Sequence, residues 1–310
     1  MKNEMVTIAM HTGKKEYYPL VENFLKSFLL CVTYPKIELM LVETAGNEEI
    51  RSWFNSLDFS KNFINFDGTE TSIKRNESCE IIKSLVYLDP DPNDMWYMSW
   101  TKGINEAIRI AKGKYFTMLA EDNQFNMKGD IISGYISLLR KEDRTRSLVH
   151  FFSQQGYKYF KKSNAFTGPS IIGSPGDFDY FTVNQIKECT KWCFLGLTDV
   201  NNYKLIGEPL IAQTKDDNPH IQTEEYSKRS HYTNYKRFYP KICHGIWLSN
   251  NSKKLAIKTI VEKTKNNPDY VLYKIHNYDR FKKGYFLEWV DNAIHTRPSA
   301  IDDFCWDINE

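Results

Sequence analysis

Glu121 and Asp122 follow directly on the apolar run 115–120, and Asn123 completes the turn. Two other apolar runs also end on groups that bind rather than pack. Residues 6–10 lead into His11-Thr12-Gly13, and residues 37–42 lead into Glu43. If these runs are parallel strands of one open sheet, their carboxyl ends share an edge, and ligands of such sheets collect in the crevice beyond it. Carboxylates repel a diphosphate unless a divalent cation stands between them. Mg²⁺ or Mn²⁺ accepts one or two carboxylates together with phosphate oxygens. The acidic turn therefore reads either as a metal and diphosphate site or as a solvated turn capping the next helix.

Other groups have two readings each. Lys102 can neutralise a phosphate or be a solvated lysine at a helix start. His11, His220 and His231 can complete a metal's coordination or lie on the surface. Cys189 and Cys193, with Cys243-His244 later, do not match the short paired spacings of zinc sites. Tyr157, Tyr159, Phe160 and Phe166, then Tyr226, Tyr232, Tyr235 and Tyr239, can stack on sugar faces or pack in the core.

The elements that must position these residues alternate strand and helix. After the first strand, Leu20, Val21, Phe24, Leu25, Phe28 and Leu29 recur at helical spacing. Strand 37–42 and a further helical stretch follow the turn Thr33-Tyr34-Pro35. Residues 63–66 and 84–88 read as short strands, and 89–94 as a loop. Ile104, Ala107, Ile108 and Ala111 form one helix face. Gly113 reads as its left-handed cap, and strand 115–120 leads into the acidic turn. A helix carrying Ile131, Ile132, Tyr135, Ile136 and Leu139 and a strand over 148–152 complete a doubly wound, mainly parallel sheet. Glycine, serine and proline make 153–179 read as loops. Residues 215–240 read as a mobile or substrate-covering segment, and the chain from 252 onward as largely helical. The expected organisation is one α/β domain over 1–250 and a helical C-terminal extension over 251–310.

Composition narrows the class. With 41 basic against 39 acidic side chains in 310 residues, the formal charge is +2, which does not suit a nucleic-acid binder. Aromatic residues at 15% exceed the usual share and favour stacking surfaces. The cysteines are scattered, and the chain passes from Met1-Lys2-Asn3-Glu4 straight into a strand, so a reduced, cytoplasmic protein is expected. The longest apolar stretch, 28–32, is far too short to cross a bilayer, which leaves peripheral association at the inner face of the membrane. No G-x-G-x-x-G follows any strand, which makes a dehydrogenase a poor fit. Gly13-Lys14-Lys15 is a thin substitute for the basic, glycine-rich loop of a nucleotidyltransferase.

Three successive pieces resemble the inverting family 2 glycosyltransferases of the GT-A fold, over about the first two-thirds of the chain. Val6-Thr7-Ile8-Ala9-Met10-His11-Thr12 stands where that family has its opening strand and nucleotide loop. Thr33-Tyr34-Pro35-Lys36-Ile37-Glu38-Leu39 opens the second strand. Gly103-Ile104-Asn105-Glu106-Ala107, Ala111-Lys112-Gly113-Lys114-Tyr115 and Leu119-Ala120-Glu121-Asp122-Asn123 form the third. The resemblance implies a GT-A-like fold and transfer of a sugar from a nucleotide-sugar, such as a UDP-sugar, to a glycan or other hydroxyl acceptor in glycan or surface polysaccharide assembly. It places Thr12 near the nucleoside, Glu43 on the nucleobase, Glu121 toward the ribose or sugar, and Asp122 on the metal. The Glu-Asp-Asn spelling departs from the family's aspartate-rich one.

Inverting transfer needs a base for the acceptor hydroxyl. Gly196-Leu197-Thr198-Asp199-Val200 resembles the family segment in which a loop acid begins a helix, so Asp199 reads as that base or as a plain helix cap. A non-catalytic nucleotide-sugar-binding protein would keep the cleft and dispense with the base.

Overall fold

The computed structural model describes residues 4–73, 79–91, 96–121, 123–125, 130–141, 147–150, 166–172, 178–183, 196–202, 236–240 and 245–247, with 258, 261 and 262. Its strands are β1 (Val6–Thr12), β2 (Lys36–Glu43), β3 (Phe63–Ile64), β4 (Glu70–Thr71), β5 (Glu80–Tyr87), β6 (Tyr115–Ala120), β7 (Asn123–Phe125), β8 (Ser147–His150), β9 (Phe166–Ile172), β10 (Phe178–Val183), β11 (Gly196–Asp199), β12 (Lys236–Pro240) and β13 (Gly245–Trp247). The helices are α1 (Tyr18–Cys31), α2 (Glu48–Ser56), α3 (Trp96–Ile110) and α4 (Ile131–Lys141).

One sheet runs in the order β5-β2-β1-β6-β11-β8-β12-β10-β9. β1 pairs in parallel with β2 on one side and β6 on the other, and β2 pairs in parallel with β5. β11 is antiparallel to both β6 and β8, β12 is parallel to β8, and β10 is antiparallel to its neighbours β12 and β9. Within this sheet every strand but β11 and β10 therefore runs the same way.

Side-chain alternation along the parallel strands builds two cores, as expected of a sheet covered on both faces. Val6, Ile8 and Met10 of β1, with Ile37, Leu39 and Leu41 of β2, face α1, α2 and α4 through Phe24, Phe54 and Tyr135. Ala9, Met40, Val42, Phe116 and Met118 face α3 through Ile104, Ala107 and Ile108. The result is a three-layer α/β arrangement around a mostly parallel sheet. Among the described residues no helix is long and apolar enough to cross a membrane.

The second core holds a fully buried carboxylate. Glu38 of β2 accepts hydrogen bonds from Thr7 Oγ1 of β1 (2.6 Å), Ser84 Oγ of β5 (2.5 Å) and Lys112 N beyond α3 (2.8 Å). Thr7 Oγ1 in turn accepts from Gly113 N (2.9 Å). The glycine at 113 follows from this contact. A Cβ there would lie 2.4 Å from Thr7 N and 2.6 Å from Thr7 Oγ1. Gly113 is thus required by close approach, whereas among the described residues the positive-φ glycines are Gly46 and Gly68. The expectation of a left-handed cap at 113 is corrected accordingly.

Other elements also differ from expectation. β1 continues through His11 and Thr12, which read as a turn. α3 begins at Trp96, so Lys102 sits within the helix and not at its start. The stretch read as loops over 153–179 contains β9 and the start of β10. Pro169 is accommodated there because β9 is the edge strand, where a missing N–H costs no ladder bond, and the pairing with β10 is irregular at Phe181/Thr182. In the expected C-terminal extension, residues 258, 261 and 262 are helical. The remainder of 251–310 lies outside the described residues, as do the segment 203–235 with His220 and His231, and Cys189, Cys193, Cys243, His244 and Cys305.

Replacing Glu38 by alanine strands the Thr7 and Ser84 hydroxyls and the Lys112 amide. The expected cost is on the order of 3 kcal/mol, read as a lower denaturation midpoint. A midpoint unchanged from wild type would show that the buried cluster does not hold the sheet together.

Candidate functional site

From β1 the chain moves outward on one side, to β2 and then β5, and returns to the other side at β6. The strand order therefore reverses between β1 and β6, and the crevice of an open parallel sheet lies at such a switch point, beyond the carboxyl ends. His11 and Thr12 end β1 there, and Glu121 follows β6 directly. Glu121 N donates to His11 O at 3.2 Å, and the side chains of Thr12 and Glu121 are buried. Thr12 Oγ1 is buried without a hydrogen-bond partner.

His11 is held from its far side. Its Nε2 shares a 3.0 Å hydrogen bond with Thr44 Oγ1, and its ring stands edge-on to Trp100 of α3 at 6.4 Å. α3 comes this close because Gly103 lies on the sheet edge: a Cβ there would sit 2.8 Å from Val42 Cγ1 and 2.9 Å from Thr44 Cγ2. Lys102 is the neighbouring residue on α3, beside this contact.

Glu43 pairs in register with Thr12 on one side and Tyr87 on the other. Its carboxylate accepts from Ala45 N (2.6 Å) and Asn47 N (3.1 Å), which folds the loop back over the strand end, and Gly46 turns with φ +72°. Burial pushes its pKa above the ordinary carboxylate value, although the loop amides and Arg51, 4.0 Å away, pull the other way. Arg51 stacks over the Tyr87 ring at 3.6 Å and donates from Nε to Asn47 O. Tyr18, at the start of α1, has a buried hydroxyl with no partner. Burial, then the charges of Glu43 and Glu49, push its pKa above the ordinary phenol range. Lys15 pairs with Glu49 at 2.5 Å.

The acidic turn is closed by Asn123, whose Oδ1 accepts from Ala120 N at 2.8 Å. β7 is fastened below it. Phe125 N donates to Ser27 Oγ of α1, and the Phe125 ring packs edge-on against Phe24 and Phe28. On its other side β7 pairs with β13, which places Trp247 opposite Asn123. Asp122, expected as the metal ligand, lies outside the described residues. Among the described residues no group of three or more His, Cys, Asp and Glu is arranged to hold a metal.

The structure thus gathers His11, Thr12, Glu43 and Glu121 at one edge, with Lys102 on the helix above. It does not bring Asp199 to them. β11 runs against β6, with Asp199 opposite Tyr115 at the start of β6, so Asp199 falls at the far edge of the sheet from Glu121. Its carboxylate Oδ1 accepts from Asn201 N (3.0 Å), and Val200 N donates to Lys114 O (2.8 Å). Asp199 is the cap of the two readings given above. Thr44, Tyr18, Arg51 and Asn123 were not singled out by type and spacing. The spacing of Asn47 and Arg51, one helical turn apart after a strand-end acid, was the available signal for Arg51.

No protein-family model matches the chain. The comparison with curated proteins finds no match. Among solved structures, the chain is similar to S. aureus TarS at 10% identity and a TM-score of 0.38, over 84% of this chain and 40% of that one. It is also similar to S. aureus TarS 1-349 at 8% identity and a TM-score of 0.43, over 94% of this chain and 73% of that one. The chain therefore spans well under two-thirds of the longer TarS structure. At this level of similarity the fold rests on the strand order and register described above.

Replacing Asp199 by alanine is expected to cost about 1 kcal/mol of stability, as for loss of an N-cap, measured by chemical denaturation. A stability equal to wild type would show that the Asn201 contact is not a working cap.

Proposed function

We propose that the chain is an inverting glycosyltransferase of the GT-A kind, moving a sugar from a nucleotide-sugar to the hydroxyl of a glycan or other acceptor in glycan or surface polysaccharide assembly. The observation that carries this reading is the gathering of Thr12, Glu43 and Glu121 at the β1–β6 switch point. These are the positions that the resemblance assigns to nucleoside, base and sugar. Glu43 ties the 45–47 loop to this edge, and Arg51 beside it would donate to the edge of a base. Thr12 offers an unspent hydroxyl to the nucleoside.

The chemistry asks little covalent work of the protein. The acceptor oxygen bonds to the anomeric carbon as the bond from that carbon to the diphosphate oxygen breaks. The electron pair leaves with the diphosphate, and the hydroxyl proton passes to a base. A divalent Mg²⁺ or Mn²⁺, when bound, neutralises charge on that diphosphate. The oxygen donors at this edge suit such a hard cation, with Asp122 as the side chain that would hold it, substrate phosphate oxygens as further ligands, and Glu121 toward the ribose or sugar. Lys102 is assigned to the same phosphates and His11 to the adjoining wall. Where the enzyme works is part of the same proposal: the cytoplasmic side, at the inner face of the membrane.

A second reading, a nucleotide-sugar-binding protein without transfer, is favoured by one observation. Asp199, the base that the resemblance supplies, stands at the opposite edge of the sheet. The nucleotidyltransferase alternative is weakened by Lys15, which is paired with Glu49 next to the first strand end.

Calorimetric titration of UDP, GDP and CDP, with and without Mn²⁺, tests the common premise. One of the three is expected to bind, at least tenfold more tightly with Mn²⁺, and Glu121→Ala is expected to weaken that binding at least tenfold. Binding of none would sink both readings. Release of the diphosphate from the matching nucleotide-sugar, dependent on an added acceptor, separates transfer from binding alone.

A further inference from the structure

Arg51 lies one helical turn after Asn47, the cap of α2, and its guanidinium stacks 3.6 Å over the ring of Tyr87, the last residue of β5. That ring is itself tethered, because the Tyr87 hydroxyl donates to Asp89. Arg51 Nε donates to Asn47 O at 3.3 Å, its single hydrogen bond among the described residues, so both terminal nitrogens are unspent. The side chain keeps 22% of its surface exposed at the carboxyl end of β2 and β5. A guanidinium with one face on a ring and Nε on a carbonyl is a rigid two-pronged donor, and it loses little freedom on meeting a ligand.

Glu43, 4.0 Å away, is in the opposite condition. Its side chain is 1% exposed, with Oε1 accepting from Ala45 N and Oε2 from Asn47 N. The loop that it holds is braced from outside, since a Cβ on Gly46 would lie 2.8 Å from Pro90 Cδ. An acid enclosed in this way holds the loop and not a base. Recognition at this edge therefore passes from an acceptor to a donor, which changes the base that fits. A fork of two parallel N–H groups requires two neighbouring acceptors. Uracil has no such pair, because N3–H separates O2 from O4. Cytosine has O2 and N3, but its amino group faces the same wall and would need an acceptor there, and Glu43 is spent. Guanine presents O6 and N7 together and carries its donors on another edge, and this pair is the one that arginine matches.

We infer that the base taken at this edge is guanine, read at O6 and N7 by the Arg51 fork, so that the donor substrate is a guanosine-diphosphate sugar. This rests on the proposed function and names its nucleotide. Tyr87 acts through Arg51, as the surface that fixes the direction of the fork.

Calorimetry of the full chain with Mn²⁺ and GDP, UDP and CDP, then with inosine diphosphate and 7-deazaguanosine diphosphate, provides the test. Inosine lacks the exocyclic amine of guanine and keeps O6 and N7, whereas the 7-deaza base lacks the N7 acceptor alone. GDP is expected to bind at least about tenfold more tightly than UDP or CDP, with inosine diphosphate within about twofold of GDP and the 7-deaza nucleotide about fivefold weaker, as for loss of one arm of a bidentate pair. Arg51→Lys keeps the charge and removes the fork, and it is expected to bind GDP and the 7-deaza nucleotide equally. Tighter binding of UDP or CDP than of GDP would overturn the inference and leave the proposed function standing. So would a loss on removing the amine with none on removing N7, the signature of an acid that reads the donors of the base. Absence of binding to all three of GDP, UDP and CDP would overturn the inference and the proposed function together.

Discussion

The reversal of strand order at β1 is the constraint on which the rest of this structure depends. β1 alone has parallel partners drawn from both directions of winding, β2 on one side and β6 on the other, and all seven of its residues are buried. A strand so enclosed must be apolar on both faces. It can carry polar groups only where they are bonded or where the strand leaves the sheet. Thr7 meets the first condition through Glu38 and Gly113, and His11 meets it through Thr44. The Thr12 hydroxyl is unbonded and meets the second, at the crevice where β1 ends.

The two edges of the sheet consequently serve different ends. At the amino edge Glu38 and Asp199 are spent on structure. Glu38 ties β1, β2, β5 and the turn after α3, and Asp199 caps the helical turn after β11. At the carboxyl edge the loops are tied to the strands by side chains, Glu43 to the amides of 45 and 47 and Asn123 to that of 120. Donors and acceptors remain there beyond those needed for folding. Spare polar capacity at the carboxyl edge is what a binding crevice there requires.

Much of this was legible in the residues. The apolar runs of β1, β2 and β6, and the amphipathic spacing of α1 and α4, are strong periodic signals, and they were sufficient to place Thr12, Glu43 and Glu121 on one edge. Less legible were features set by tertiary contact. Gly113 looks like a cap in sequence because nothing local reveals that Thr7 lies against it. Pro169 looks like a loop residue until the sheet order makes β9 an edge. Asp199 looks like a base because an acid before a helix is the expected pattern. Only the antiparallel direction of β11 shows that it stands at the opposite edge from Glu121.

Hydrogen exchange of the full chain, with and without the nucleoside diphosphate and Mn²⁺, tests the central claim most directly because it reads both edges of the sheet at once. The account predicts slowed exchange in peptides covering residues 11–13, 43–47 and 120–125, with 196–202 unchanged. Protection confined to 196–202, or spread evenly over both edges, would contradict the assignment of the site to the β1–β6 crevice.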